Sequence, residues 1–275
     1  MKIGLIGSGR VATHLACKLQ QQHQIMQVYS RDKVHAEHLA IQVQAMPIDD
    51  LKQFDLALEL LIICVSDSAI VHIAEQLAQC QINALVVHTS GSTSLDALSN
   101  LARHGVFYPL QTFSLDSPVD WGNTPLLIEA RHTEDHLLLT QLAQQLSTRV
   151  YAYSSEQRLS LHLAAVFACN FTNYCYDMAQ QVVAQHQVDF ALLHPLILTT
   201  AQKVTQMDAK TAQTGPAVRA DQHILAMHQA LLANSAMADF GQIYQLMSQA
   251  IVQRHKPDHN PMPRIAATDV DHMAK

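Results

Sequence analysis

The sequence predicts an α/β protein, a doubly wound parallel sheet followed by an all-α domain, and three observations lead there. Short apolar runs alternate with helical patterns through the first half, as βαβ units require. A Gly7-x-Gly9-x-x-Ala12 turn joins the first of these runs to the first helix. Beyond Ser154 the strand-like alternation stops and only long helical stretches remain.

A chain of 275 residues holds a full nucleotide-binding domain and a second, smaller unit. With 49% hydrophobic and 15% charged residues it has the composition of a soluble globular protein. No apolar stretch approaches the length needed to span a bilayer. Gly7-Ser8-Gly9-Arg10 cuts the N-terminal apolar run too short for a signal peptide, so a cytoplasmic protein without a membrane partner is expected. Cys17, Cys64, Cys80, Cys169 and Cys175 form no CxxC pair and read as reduced thiols. A net charge of −6 leaves no basic footprint for nucleic acid. The 17 histidines include helically spaced pairs, His35/His38 and His132/His136, but neither has a third ligand nearby, and no metal is expected.

The elements follow in order. Ile3 to Ile6 is a strand, Val11 to Gln20 a helix, Ile25 to Tyr29 a second strand and Lys33 to Val43 a second helix. Ala45 to Lys52 is a short strand and connection broken by Pro47. Leu58 to Val65 is almost wholly apolar, as befits a central strand buried on both faces. Ser66-Asp67-Ser68 supplies a cap for a helix over Ala69 to Ala78. Strands are expected at Ala84 to His88, Val106 to Tyr108, Leu126 to Glu129 and Arg149 to Tyr153, with a helix from Thr133 to Leu146. Residues 1–153 then form the dinucleotide-binding domain and 154–254 a helical substrate and dimerisation domain. Helices are expected near Ser155 to Gln185, Asp189 to Gln206, Asp221 to Asn234 and Phe240 to Arg254, and 255–275 as a poorly ordered tail. The first of these helices is apolar on several faces and should be mostly buried, within its domain or across a dimer.

The Gly7 to Ala12 turn carries the chemistry. Gly7 permits the turn, Gly9 lets the backbone approach a pyrophosphate, and Ala12 lets the helix pack close to the strand. With the free N–H groups of the helix start, Gly7, Ser8, Gly9, Arg10 and Val11 become a candidate cofactor site. The residue after the second strand selects the cofactor. Ser30 and Arg31 offer a hydroxyl and a guanidinium, which suit a 2′-phosphate and so NADP over NAD. Asp32, one step on, would suit NAD if it took that place. Ligands bind beyond the carboxyl ends of the strands, which adds Val65, Ser66 and Ser90 to the cofactor residues. Asp67 serves there or as a helix cap. Gln111 and Thr112 are cleft residues or turn packing.

In the helical half, His162 and Asn170 interrupt an apolar run. They lie about 12 Å apart along a regular helix and about 80° apart around it, so they share a broad face but not one reacting atom. Asn170 and Asn173, a turn apart, could share one. His162 is either an acid/base group or a core histidine bonded to a carbonyl. The loop Thr214 to Asp221 offers Arg219 and Asp221 for an anionic substrate, unless these two merely pair with each other.

The stretches Gly7-Ser-Gly9-Arg-Val-Ala12, His88-Thr-Ser-Gly-Ser92, Tyr108-Pro-Leu-Gln-Thr-Phe113, His162-Leu-Ala-Ala-Val-Phe-Ala-Cys-Asn170 and Thr214-Gly-Pro-x-x-Arg219-x-Asp221 carry a resemblance. Across residues 1 to 235 the chain resembles Rossmann-like proteins with a C-terminal helical domain of unknown function, commonly labelled NADP oxidoreductases. More distantly it is similar to the pyrroline-5-carboxylate reductase, deazaflavin-dependent NADP oxidoreductase, β-hydroxyacid and 6-phosphogluconate dehydrogenase-like group. That group implies a dinucleotide domain followed by a helical domain that forms homodimers. The chain departs from it twice. The β-hydroxyacid dehydrogenases carry a catalytic lysine on the long helix, and no lysine occurs between Ser155 and Gln187. Ala220 stands where the resemblance implies glycine.

The expected function is NADP-dependent hydride transfer to or from a small carbonyl or imine. His162 supplies the proton, Asn170 orients the substrate, and Gln111, Asn173, Arg219 and Asp221 line its site. The alternatives are a non-catalytic NADP(H) sensor or scaffold, which the missing lysine favours, and a methyltransferase using a similar glycine loop.

Overall fold

The structure is a computed structural model that describes residues 1–233 and 237–256. Positions 257–275, most of the foreseen tail, and Asn234, the foreseen end of a helix, lie outside the described residues. The chain divides into two compact units, Met1–Phe171 and the one that begins at Thr172.

The first unit alternates strand and helix: β1 (Lys2–Ile6), α1 (Arg10–Leu19), β2 (Gln24–Tyr29), α2 (Lys33–Val43), β3 (Met46–Ile48), β4 (Leu60–Ile63), α3 (Asp67–Ala78), β5 (Leu85–His88), β6 (His104–Pro109), β7 (Leu126–Ala130), α4 (Thr133–Leu146), β8 (Val150–Ala152) and α5 (Ser155–Ala165). The eight strands form one sheet in the order β3-β2-β1-β4-β5-β6-β7-β8. Strand order reverses at β1/β4, the switch point where a doubly wound sheet opens a ligand crevice.

The sheet departs from the all-parallel expectation at one place. β7 runs antiparallel to β6, with Phe107 opposite Ile128. The connection between them, 110–125, carries only a single 3-10 turn at Trp121–Asn123 and no crossover helix. A parallel pairing needs such a crossover, so the chain turns back instead.

The continuous apolar run of β4 has the predicted consequence. Leu60 and Ile62 enter the core beneath α1, α2 and α4, whereas Leu61 and Ile63 enter the one beneath α3. Each residue of β4 is thus buried, on alternate faces.

α5 starts with a capping box, the Ser154 hydroxyl accepting from the Gln157 amide at 3.3 Å and the Gln157 side chain accepting from the Ser154 amide at 2.9 Å. A π-helical turn, Val166–Phe171, follows α5 and ends the unit.

The second unit comprises α6 (Thr172–Ala184), α7 (His194–Val204), the single turn α8 (Ala209–Ala212), α9 (Gln222–Ala233) and α10 (Ala238–His255). α10 runs one residue into the segment foreseen as tail. α9 and α10 are tied by His228 Nδ1 and the Tyr244 hydroxyl at 2.8 Å. Of the two ways foreseen for burying the first long helix, burial within the chain is not found: Arg158 is the buried residue of α5, and α6 has none among the described residues. The apolar side chains are there, but no described residue of this chain covers them. Of this unit's described hydrophobic residues, Ala217, Leu232 and Met237 are buried.

Candidate active site

Sheet register brings the loops together. Ile6 pairs with Tyr29 on one side and Ile63 on the other, and Ile63 pairs with His88. The carboxyl ends of β2, β1, β4 and β5 are therefore level. His88 pairs with Val106, so Tyr108 stands two residues beyond that level on β6. Above this edge lies a cleft of about 920 Å3, lined by Gly7 to Val11, Tyr29 to Arg31, Cys64 to Asp67, Thr89 to Gly91, Tyr108, Gln111 and His162 among others.

At one part of the cleft the two glycines do different work. Gly7 has φ +107° and a Cβ there would sit 2.2 Å from the Cys64 carbonyl oxygen. Gly9 faces open space, with nothing within 4 Å of a Cβ built on it. Gly9 is also the N-cap of α1, without a side-chain cap, and no acidic residue occupies the first turn. The first amides of α1 are left for an anion, which is what a pyrophosphate needs.

Arg10 and Arg31 put two guanidinium-bearing residues on the cleft wall beside Ser30. Asp32 is not among the lining residues. Its carboxylate accepts from the Val34 amide at 3.0 Å and caps α2. The residue that could have suited a bare ribose is thus committed to the helix start.

On the far side, the loops after β4 and β5 are joined by the Ser92 hydroxyl, which donates to the Asp67 carboxylate. Ser66 is the N-cap of α3 but makes no side-chain cap; its hydroxyl lies 3.4 Å from that of Ser68. Ser90 lines the cleft, yet its hydroxyl accepts from the amides of Ser92 (3.1 Å) and Thr93 (2.9 Å) and so mainly shapes the turn. His88, fully buried at the end of β5, accepts from the Ser90 amide through Nδ1 at 3.2 Å. Burial, with help from the Arg158 charge, pushes its pKa down to about 4 and keeps the ring neutral.

His162 projects from α5 into this cleft, and its Nδ1 lies 3.2 Å from the Tyr108 hydroxyl. The rings meet edge to face, with centroids 6.2 Å apart. Both abut Gly91, where a Cβ would come within 2.6 Å of His162 Nδ1 and 2.8 Å of the Tyr108 oxygen. Burial first, then the negative charge of Asp67, raises the pKa of the Tyr108 phenol. One turn before His162, Arg158 is buried and donates to Glu129 (2.6 Å), to the Thr93 carbonyl (2.5 Å) and to Ser155 (3.1 Å). Ser155 in turn donates to Glu129 at 2.7 Å and accepts from the Leu95 amide at 2.8 Å. The start of α5 is thereby bolted to β7 and to the loop that carries Gly91.

Gln111 lines the cleft, its carbonyl oxygen accepting from the Thr112 amide at 2.8 Å. Asn170 is exposed and does not line it. The π turn between the two residues changes the rotation that a regular helix would have given them. Asn173 is an exposed residue of α6 in the second unit. Asp221 accepts from the Ile224 amide at 3.2 Å and starts α9, and Arg219 is exposed without an ion pair to it. Ala220 has φ +52°, the left-handed conformation for which glycine is the easy choice.

Tyr108, Arg158 and Glu129 escaped sequence reasoning. Tyr108 ends a predicted strand, so the rule that selected the other loops also pointed to it. Arg158 and Glu129 lie 29 residues apart in sequence, and no spacing signal links them.

Residues 1–113 match the model of a Rossmann-like domain, and 124–251 that of a domain of unknown function, DUF2520. A solved structure from Bacteroides fragilis, described as a "putative NADP oxidoreductase", is 41% identical with a TM-score of 0.85, covering 92% of this chain and 98% of that one. The chain belongs to this Rossmann-like DUF2520 family. A reductive aminase from Aspergillus terreus, solved with NADPH and ethyl-5-oxohexanoate, shares the fold of the DUF2520 protein at 18% identity and a TM-score of 0.68, covering 94% of this chain and 96% of that one. A pyrroline-5-carboxylate reductase from Coxiella burnetii does so at 13% identity and 0.54, covering 92% and 96%. No curated protein matches the DUF2520 protein.

Proposed function

We propose that this protein is an NADP-dependent oxidoreductase acting between the nicotinamide and a small carbonyl or imine substrate. One observation carries the proposal: a single cleft is lined by an uncapped helix N-terminus, by Ser30 and Arg31, and by His162 with Tyr108. The α1 amides and Gly9 suit a pyrophosphate, and Ser30 and Arg31 suit a 2′-phosphate. Bound there, NADPH would supply the hydride. His162 supplies the proton, and Gln111 rather than the exposed Asn170 is placed to orient the substrate. The 41% identical B. fragilis protein supports the cofactor class by its description, and the reductive aminase solved with NADPH, which has the same fold, is consistent with it.

The test is binding of NADPH and NADH to the purified protein, beside the Arg31→Glu variant. Micromolar NADPH binding that weakens about 100-fold in the variant, with NADH little changed, is expected from loss of a charge-assisted contact and its replacement by repulsion. No binding of either nucleotide defeats the proposal. Turnover on a panel of imines and carbonyls then separates an enzyme from a non-catalytic NADP(H) sensor. The absence of lysine from Ser155 to Gln187 favours the sensor, and any hydride transfer removes it.

A further inference from the structure

The Tyr108–His162 pair goes beyond a lone histidine acid. We propose that Tyr108 is a catalytic residue that hands the proton to the substrate, and that His162 stands behind it and replaces that proton. This rests on the assignment of His162 as the proton source and alters the route the proton takes.

Position is the first argument. β6 outruns its neighbour β5, so Tyr108 rises past the strand ends into the cleft beside the Thr89 to Gly91 loop. The second is the closeness of the pair. His162 Nδ1 is 3.2 Å from the phenol oxygen, and His162 is the hydroxyl's one hydrogen-bond partner among the described residues. Gly91 leaves no slack: any side chain there would collide with both rings. The Arg158–Glu129–Ser155 bolt fixes the helix one turn away. The third is readiness. A proton donor must be loaded at the working pH, and the raised pKa of the phenol keeps it loaded at neutrality.

The step balances. Bound NADPH would supply a hydride, carrying two electrons, to the substrate carbon, and the π pair of the C=N or C=O bond would move to the heteroatom. That heteroatom takes the Tyr108 hydroxyl proton as the phenol O–H bond breaks. The phenolate takes the Nδ1 proton of His162 as Nε2 takes one from solvent, so the ring passes a proton on and ends neutral. The phenol oxygen thus accepts from His162 while its hydrogen is donated to the substrate, which uses both capacities of a hydroxyl.

The experiment compares Tyr108→Phe, His162→Ala and the wild type in the full chain. Tyr108→Phe keeps the ring in place, so NADPH affinity should stay within about threefold while kcat falls about 100-fold or more, the range for losing a general acid. His162→Ala should lose kcat too, but added imidazole should restore part of it, since a small ring in the vacated space can carry a solvent proton to the phenolate. Imidazole should not rescue Tyr108→Phe. A Tyr108→Phe enzyme that keeps a third or more of the wild-type kcat overturns the proposal in favour of direct donation from His162. A second readout needs no turnover. The side-chain 15N resonances of His162 should shift between wild type and Tyr108→Phe, and unchanged resonances mean that the pair does not form. Wild-type protein that binds no NADPH refutes instead the functional assignment beneath, whatever the resonances do.

Discussion

The Arg158 guanidinium, 1% exposed, donates to the Glu129 carboxylate at 2.6 Å. The contact joins the first turns of α5 to the end of β7, and its other arm reaches the Thr93 carbonyl. Removing one partner of a buried pair leaves the other uncompensated, at about 3–5 kcal/mol. Glu129 keeps some exposure, which places Arg158→Met near the low end, about 3 kcal/mol. Glu129→Gln retains an acceptor but leaves the more deeply buried guanidinium without its counter-charge, and should cost more, about 4 kcal/mol. Chemical denaturation of the two variants checks the order. Equal and negligible losses would mean that the bolt does not hold the helix.

The two glycines of the first turn should fail differently when changed to alanine. Gly7→Ala combines an unfavourable φ with overlap against the Cys64 backbone just beyond β4 and should destabilise by about 3 kcal/mol. Gly9→Ala meets no atom and should leave stability within about 0.5 kcal/mol. It does intrude where the pyrophosphate would approach, so NADPH affinity should fall about tenfold or more. Melting curves with and without NADPH report both quantities. A Gly9→Ala protein that binds NADPH normally would remove the α1 amides from the cofactor site.

His88 makes a pH prediction whose sign follows from its depressed pKa. Folded, the ring titrates at about 4; unfolded, near 6.5. Between these values the unfolded chain binds the extra proton, so stability is fully present above pH 6.5 and is lost as pH falls through 4. The span corresponds to about 3 kcal/mol. Urea unfolding of the wild type and of His88→Asn, followed from pH 7 to 4, should give a steeper decline for the wild type. Parallel declines would show that His88 does not titrate as its burial implies.

Much of this architecture was legible from local pattern. The run Leu58 to Val65 announced a strand buried on both faces, and Lys33–Val43 and Thr133–Leu146 emerged with the predicted bounds. Such elements depend on residues close in sequence. The glycine turn and Ser30-Arg31 were legible because strand ends in this fold converge on one edge. The antiparallel turn of β7 depends on what is missing from 110–125, a crossover helix, and absence gives no pattern to read. Asn170 lies off the cleft, beyond reach of a helical-spacing argument because a π turn interrupts the regular rotation. The Tyr108–His162 contact joins residues 54 apart in sequence, and only the register of β6 against β5 reveals it. Asp32 shows the converse: a plausible ligand by position, it is occupied by capping α2.

The sparse core of the second unit argues for a homodimer through the helical domain. Leu192 (72%), Leu196 (62%), Leu198 (62%) and Leu246 (67%) stay largely exposed, as do Met227 and Leu231. Burying one such leucine contributes about 2 kcal/mol, and a soluble monomer rarely leaves so many uncovered. A second copy of the same helices offers a matching apolar surface to cover them. Analytical ultracentrifugation of the wild type should therefore give a dimer at micromolar concentration. Leu196→Glu and Leu231→Glu place a charge on that surface, and each should weaken association by about 3 kcal/mol, roughly 100-fold in Kd. Glutamate at the still more exposed Ile41 of α2, in the other unit, should leave the dimer intact. If all three variants sediment like the wild type, the association does not run through these helices, and a wild type that stays monomeric leaves their apolar surface needing a different occupant.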